Sequence, residues 1–321
     1  MSGTFLLIAD ALRSGDRRAL GRAITLVEST RAEDEEAAAR LLESLAHVTP
    51  ARRRIGISGA PGVGKSTFIE AFGLRALEAG RRVAVITIDP SSVKSGGSIL
   101  GDRTRMERLS RHAGAFIRSS PTRGTLGGVA RRTRDVIRLV EAAGHDVVIV
   151  ETVGVGQSEV AAAAMTDMFV VLMAPGAGDG LQGVKRGIME LADLVVVNKA
   201  DGDLAGLARH MVADFRQALS LLRPGRSFWT TRVVSCSALT GDGLDEVDDA
   251  VDGWFDAARN HLDAERRTQA AQAIRNEVAD LILARMMSRN STNDPSLTLA
   301  ADVARGRLPL RTAARRILDE P

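Results

Sequence analysis

Hydrophobic positions along this chain fall into three regimes. Up to about residue 50 they recur at helical spacing: Leu20, Ile24 and Val27 share one face after a start at Ser14 or Asp16, and a second amphipathic run covers Glu33 to Leu45. Thr49-Pro50 closes this stretch as a linker. From 52 to about 255, short apolar runs rich in β-branched residues alternate with helical stretches. The predicted strands are Arg54–Ser58, Val83–Ile88, Ala115–Arg118, Val147–Val150, Met168–Met173, Leu194–Val197 and Arg232–Cys236. Continuous rather than alternating apolar runs belong to parallel strands covered on both faces. The fold class is therefore α/β, a doubly wound, mainly parallel sheet with ligands at the carboxyl ends of its strands.

From about 256 the pattern narrows. Asp256 to Arg289 is polar and rich in Ala, Arg and Glu, reading as one or two long helices, with Ile274, Val278, Leu281 and Ile282 as a thin apolar stripe. A stripe outside the sheet domain implies self-association or packing on the N-terminal helices. Ser291-Thr292-Asn293-Asp294-Pro295 breaks the run, and two short helices follow. The expected division is 1–50 as an N-terminal helical segment, 51–255 as the α/β domain and 256–321 as a C-terminal helical arm.

Composition trims the function classes. With 45% hydrophobic and 26% charged residues, 321 residues can bury a full core. Net charge is only +3, and the arginine runs (Arg52-Arg53-Arg54, Arg131-Arg132, Arg266-Arg267, Arg315-Arg316) have acids nearby. Aromatics make up 3% with no tyrosine, so neither a basic nucleic-acid surface nor a base-stacking platform is indicated. The single cysteine, Cys236, excludes an internal disulfide and a Cys-rich metal site. No run approaches the length of a membrane span, and Phe5-Leu6-Leu7-Ile8 is too short and lacks the basic flank of a signal peptide. A cytoplasmic protein is expected.

The chemistry centres on Gly59-Ala60-Pro61-Gly62-Val63-Gly64-Lys65-Ser66-Thr67, which fits G-x-x-x-x-G-K-[ST] between a strand and a helix. Glycines turn successive N–H groups toward a phosphate, and the helix N-terminus adds partial positive charge. Lys65 would reach the β- and γ-phosphates and the Ser66 hydroxyl a Mg²⁺ ion. Only four of 43 basic residues are lysines (Lys65, Lys94, Lys185, Lys199), so a compact ammonium is reserved for few places. Asn198-Lys199-Ala200-Asp201 ends a late strand, where the Asp201 carboxylate can accept from the N1–H and exocyclic amine of guanine. Adenine offers no such donor pair. Asn198 would brace neighbouring loops, the Lys199 stem would cover the base, and Ser237-Ala238-Leu239 would contact guanine through backbone N–H groups. Glu151-Thr152-Val153-Gly154 stands where GTPases carry D-x-x-G, with Glu151 a metal carboxylate and the Gly154 N–H facing the γ-phosphate. Asp89 and Asp102 are further metal candidates, or else an Asp-Pro turn and a helix N-cap. The place of the water-orienting glutamine of Ras-like enzymes holds Val155, which predicts slow hydrolysis without a partner.

Together with Asp89-Pro90-Ser91-Ser92, Gly96-Gly97-Ser98-Ile99-Leu100-Gly101-Asp102, Thr125-Leu126-Gly127-Gly128, Glu151 to Ser158, and Gly178-Asp179 with Leu181-Gln182-Gly183, these motifs resemble the MeaB/MMAA/ArgK GTPases over nearly the whole chain. The resemblance implies a homodimer built by the C-terminal arm. It also implies GTP binding and hydrolysis that gate adenosylcobalamin loading of methylmalonyl-CoA mutase and protect or reactivate that enzyme, cobalamin being met only through the mutase. The mutase would in turn stimulate hydrolysis. A partner-sensing loop maps to Ala177–Lys185 with Asp179, Gln182 and Lys185, and Lys185 joins Lys65 and Glu151 as a candidate catalytic group. Gly180, Arg103 and Val93-Lys94-Ser95 depart from the family pattern, which leaves mutases for ethylmalonyl-, isobutyryl- or 2-hydroxyisobutyryl-CoA open as partners. Other classes are a nickel-delivery GTPase, which needs a His/Cys cluster where this chain has isolated histidines, a P-loop kinase acting on a transport protein, and a nucleotide-sensing adaptor.

Overall fold

The computed structural model describes residues 2–29, 31–89, 106–121, 126–152, 158–176, 186–221, 225–289 and 295–319. The chain forms two compact units, Met1–Gln269 and Ala270–Pro321. In the first, three helices, α1 (Ser2–Arg13), α2 (Arg17–Val27) and α3 (Ala32–Ser44), precede the sheet. The α2 start is set by Asp16, whose carboxylate accepts from the Arg18 and Ala19 amides, so Asp16 rather than Ser14 is the cap.

Seven parallel strands follow: β1 (Arg53–Gly59), β2 (Val83–Asp89), β3 (Ala115–Pro121), β4 (Val147–Thr152), β5 (Met168–Met173), β6 (Leu194–Val197) and β7 (Arg232–Ser235). Their order is β3-β2-β4-β1-β5-β6-β7. Between them run α4 (Lys65–Glu78), α5 (Glu107–Arg111), α6 (Leu126–Ala142), α7 (Ser158–Ala163), α8 (Arg186–Leu191) and α9 (Ala205–Ser220), and α10 (Leu244–Ala258) follows β7. Every described predicted strand is present, and the absence of alternation has the expected cause. Val148 and Val150 enter a core with α1–α3 and α6, while Val147 and Ile149 enter the opposite core with α4 and α10. The sheet winds outward in both directions from β1, whose neighbours are β4 and β5. A crevice at the carboxyl end of β1 is where such a fold receives ligands.

The opposite, amino-terminal end of the sheet is fastened by buried ion pairs. Asp167 accepts from Nε and Nη2 of Arg266, each at 2.7 Å, and from the Arg54 amide at 2.9 Å. Asp193 pairs with Arg226 at 2.7 Å and accepts from the Phe169 amide at 2.9 Å. Arg266 belongs to α11 (Leu262–Arg289), and Gln269 on the same helix donates to the Thr166 carbonyl at 2.7 Å. These bonds place the first turns of α11 in the α/β unit. In the second unit, Ile274, Val278, Leu281 and Ile282 are about half exposed or more, and α12 (Pro295–Ala304) and α13 (Leu310–Asp319) follow with Ala313 buried.

Candidate nucleotide-binding site

At the carboxyl end of β1 the chain turns through Ala60–Gly64 into α4. Gly64 is the N-cap at φ +91°, a left-handed conformation that glycine adopts without strain. A Cβ there would lie 2.6 Å from Asn198 Nδ2, and one at Gly59 would lie 2.5 Å from the Leu172 carbonyl oxygen. The motif glycines are thus required by packing as well as by turning. Gly64 brings no side chain to cap α4. The amides of its first turn, including Ser66 and Thr67, remain the helix's own anion-binding donors. Lys65 is 9% exposed, and its Nζ donates to the carbonyls of Gly59 at 2.8 Å and Ala60 at 3.2 Å. The ammonium is held by the carbonyls at the start of its own loop.

Two neighbouring strands bring acids to the same edge. Glu151 pairs in register with Ile57 of β1 and Thr87 of β2, and is 5% exposed. The Thr152 hydroxyl donates to that of Ser58 at 2.9 Å, tying β4 to β1 just before the loop. Asp89 is the last residue of β2, in register with Pro121. Asp89 and Glu151 thus both stand at the carboxyl ends of their strands and Ser66 in the first turn of α4; hydroxyl and carboxylate oxygens are the hard donors Mg²⁺ takes. Asp102, Gly154, Asp179, Gln182 and Lys185 lie outside the described residues.

Asn198, 2% exposed at the end of β6, joins two loops. Its Nδ2 donates to the Val63 carbonyl at 2.9 Å and its Oδ1 accepts from the Ala238 amide at 3.0 Å. Lys199 follows at φ +59° and is the one described non-glycine residue in the left-handed region. Its Cε lies 3.9 Å from the Cβ position built at Gly64, so the stem runs beside the phosphate loop. Asp201, partly exposed, opens a 3₁₀ turn over Gly202–Leu204. The loop after β7 alters one expectation. The Ser237 amide donates to the Asp242 carbonyl at 2.8 Å and the Ala238 amide to Asn198. Of the three amides expected to face a base, Leu239's alone has no partner among the described residues, and that residue is 80% exposed. Ser237 and Ala238 therefore shape the loop. Cys236 is buried, and burial pushes its thiol up to about 12, leaving a packed, unreactive group.

Among the described residues no group of three or more His, Cys, Asp or Glu side chains is placed to hold a metal, and no helix is long and apolar enough to cross a membrane. Sequence reasoning missed the Ser58–Thr152 tie and Glu70. From α4, Glu70 accepts from the Arg108 and Leu109 amides at 2.7 and 3.2 Å and so caps α5. A carboxylate 38 residues away leaves no local signal of that role.

A parallel sheet wound outward from β1, a glycine-turned loop opening α4 and an N-K-x-D segment strutted to that loop define a P-loop nucleotide-binding protein. The family model described as methylmalonyl Co-A mutase-associated GTPase MeaB matches residues 20–291, and the chain belongs to that family of P-loop GTPases. It is 44% identical over 319 residues to the mouse methylmalonic aciduria type A homolog, mitochondrial, covering 96% of this chain and 77% of that one. It is 46% identical over 277 residues to GTPase ArgK of Escherichia coli, covering 85% and 83%. The crystal structure of a LAO/AO transport system kinase superposes with a TM-score of 0.80 at 35% identity, over 99% of this chain and 97% of that one.

Proposed function

We propose that this GTPase is a chaperone that gates adenosylcobalamin loading of methylmalonyl-CoA mutase, or of a closely related acyl-CoA mutase, and protects or reactivates that enzyme. The observation that carries the guanine part is the Asn198 strut, which makes the phosphate loop and the segment bearing Asp201 one construction. Asp201 reads the guanine edge, Lys199 covers the base, and the loop over Ser237, Ala238 and Leu239 closes the far side, with Leu239 offering the amide. Gly59 to Thr67 and Gly154 hold the phosphates, and Lys65 exchanges its two loop carbonyls for phosphate oxygens.

Ser66, Glu151, Asp89 and Asp102 are the residues that would hold Mg²⁺, which when bound supplies positive charge to the phosphate oxygens. With Val155 in place of a water-orienting glutamine, hydrolysis is slow alone and accelerated by the mutase, sensed through Asp179, Gln182 and Lys185. The protein works in the cytoplasm as a homodimer, joined through the Ile274–Val278–Leu281 stripe of its arm. Cobalamin is met only on the mutase.

The test is GTP hydrolysis by the purified protein, alone and with methylmalonyl-CoA mutase of the same organism, with ATP as control. Acceleration by the mutase with GTP and not with ATP is expected. Fast turnover alone, or no effect of any acyl-CoA mutase, would sink the chaperone reading and leave a GTPase with another partner. Label from the γ-phosphate appearing on protein instead of free phosphate would make it a kinase.

A further inference from the structure

The end of the sheet opposite the nucleotide site carries a second concavity. A cavity of about 410 Å³ opens between the linker after α3 and the turn from α6 into β4. Among its lining residues Ala51, Ala142 and His145 are buried, and Arg13, His47 and Arg52 are exposed. Its volume falls within the range of small-molecule sites.

The charged groups of the lining differ in how they are held. Of its two acids, Glu141 accepts from the Ala51 amide at 2.9 Å and pairs with Arg54 at 2.7 Å, both through Oε1, while its Oε2 is buried without a hydrogen bond, 3.8 Å from Arg138; Asp146 accepts from the Arg82 amide at 2.9 Å. Arg13 is held by Asp10 at 2.8 Å and the Ser44 carbonyl at 2.9 Å. Arg52 and His47 have no hydrogen-bond or ion-pair partner among the described residues. At the floor, His145 Nδ1 bonds the Val140 carbonyl at 2.9 Å. Burial chiefly, with repulsion from Arg82 and Arg17, lowers its pKa to about 4 against the pull of that carbonyl and of Asp146. A neutral ring and two alanine side chains beside the unpaired guanidinium of Arg52 and the imidazole of His47 suit an anion with a carbon body.

We propose that this cavity binds a small organic carboxylate, its charged end at Arg52 and His47 and its carbon body over Ala51, Ala142 and His145. The planar guanidinium of Arg52 can meet both carboxylate oxygens, which a lysine cannot. Arg52 stands at the opposite end of β1 from the phosphate loop, so the outcome leaves the GTPase assignment untouched.

The experiment uses the full chain saturated with Mg-GDP, so that added anions cannot occupy the phosphate loop. Butyrate, succinate and inorganic phosphate are titrated separately, followed by calorimetry and by the histidine side-chain NMR signals. Expected is saturable binding of at least one carboxylate, with the His145 signals moving and its pKa rising as a negative charge arrives. Arg52→Ala should weaken that binding on the order of tenfold or more, the loss of one charge-assisted hydrogen-bonded pair. Arg52→Lys should recover part of it, and basal GTP hydrolysis should not change in either variant. Three results overturn the proposal: no carboxylate moves the His145 signals, Arg52→Ala binds as tightly as the parent, or phosphate binds there and the carboxylates do not.

Discussion

Replacing Asn198 by alanine removes a side chain that bonds both the phosphate loop and the loop after β7. The amide is 2% exposed, donates to Val63 at 2.9 Å and accepts from Ala238 at 3.0 Å. Truncation strands a buried carbonyl and a buried amide, each costing about 1–3 kcal/mol. The total is a loss of about 2–6 kcal/mol in unfolding free energy, with the small void on top. For a unit of this size that is a fall in Tm on the order of 10 °C. Asn198→Asp keeps the acceptor toward Ala238 but sets an oxygen against the Val63 carbonyl, so it should restore little. Urea unfolding without nucleotide reads the stability, and calorimetry with GDP reads the site, where the loosened loops should weaken affinity by roughly tenfold or more. If the alanine variant unfolds within about 0.5 kcal/mol of the parent, the spread of a neutral surface change, and binds GDP unchanged, the strut is not what joins the loops.

Asp201→Asn should weaken guanine-nucleotide binding by about a hundredfold or more while improving binding of xanthine nucleotides, whose carbonyl accepts from the new amide; competition titration with GDP and XDP checks it. Gly64→Ala forces φ +91° on a residue with a Cβ and pushes it against Asn198, so stability should drop by about 1–3 kcal/mol and nucleotide binding with it. Arg266→Leu leaves the Asp167 carboxylate, 1% exposed, buried without its main cation, and a loss of about 3–5 kcal/mol is expected in urea unfolding. His145 is held neutral when folded, with a pKa near 4 against 6.5 for the free ring. Between those values the unfolded chain binds the extra proton, so the contribution is full above pH 6.5 and is lost as pH falls toward 4. Replacing His145 by glutamine should flatten the stability profile across that window, a difference of up to about 3 kcal/mol between the two profiles.

The elements that were legible in the sequence are those governed by local pattern. Seven apolar runs became seven strands because both faces of the sheet are covered, and the phosphate loop was readable because its glycines, lysine and serine are contiguous. What escaped depends on residues far apart in the chain. Arg266 to Asp167 spans 99 positions, Arg226 to Asp193 spans 33, and Glu141 to the Ala51 amide spans 90. No periodicity announces such pairs. The polar character that begins at Asp256 lies on the outer side of α10, which continues to Ala258 because Trp254, Phe255 and Ala258 face the core. Nothing local reveals that Asp242 and Asn198 take the amides of Ser237 and Ala238.

The Asn198 strut also bears on how long such a protein lasts. It links residue 63 to residue 238, so a nucleotide seated on those loops holds together segments separated by more than half the chain. A ligand that binds only the folded form adds about 4 kcal/mol when present at a thousand times its dissociation constant. Nucleotide supply would then set the fraction of molecules that open far enough to be cut by proteases. A cell whose guanine nucleotide pool falls would lose this protein by degradation as well as by idling, and limited proteolysis with and without GDP would measure that margin directly.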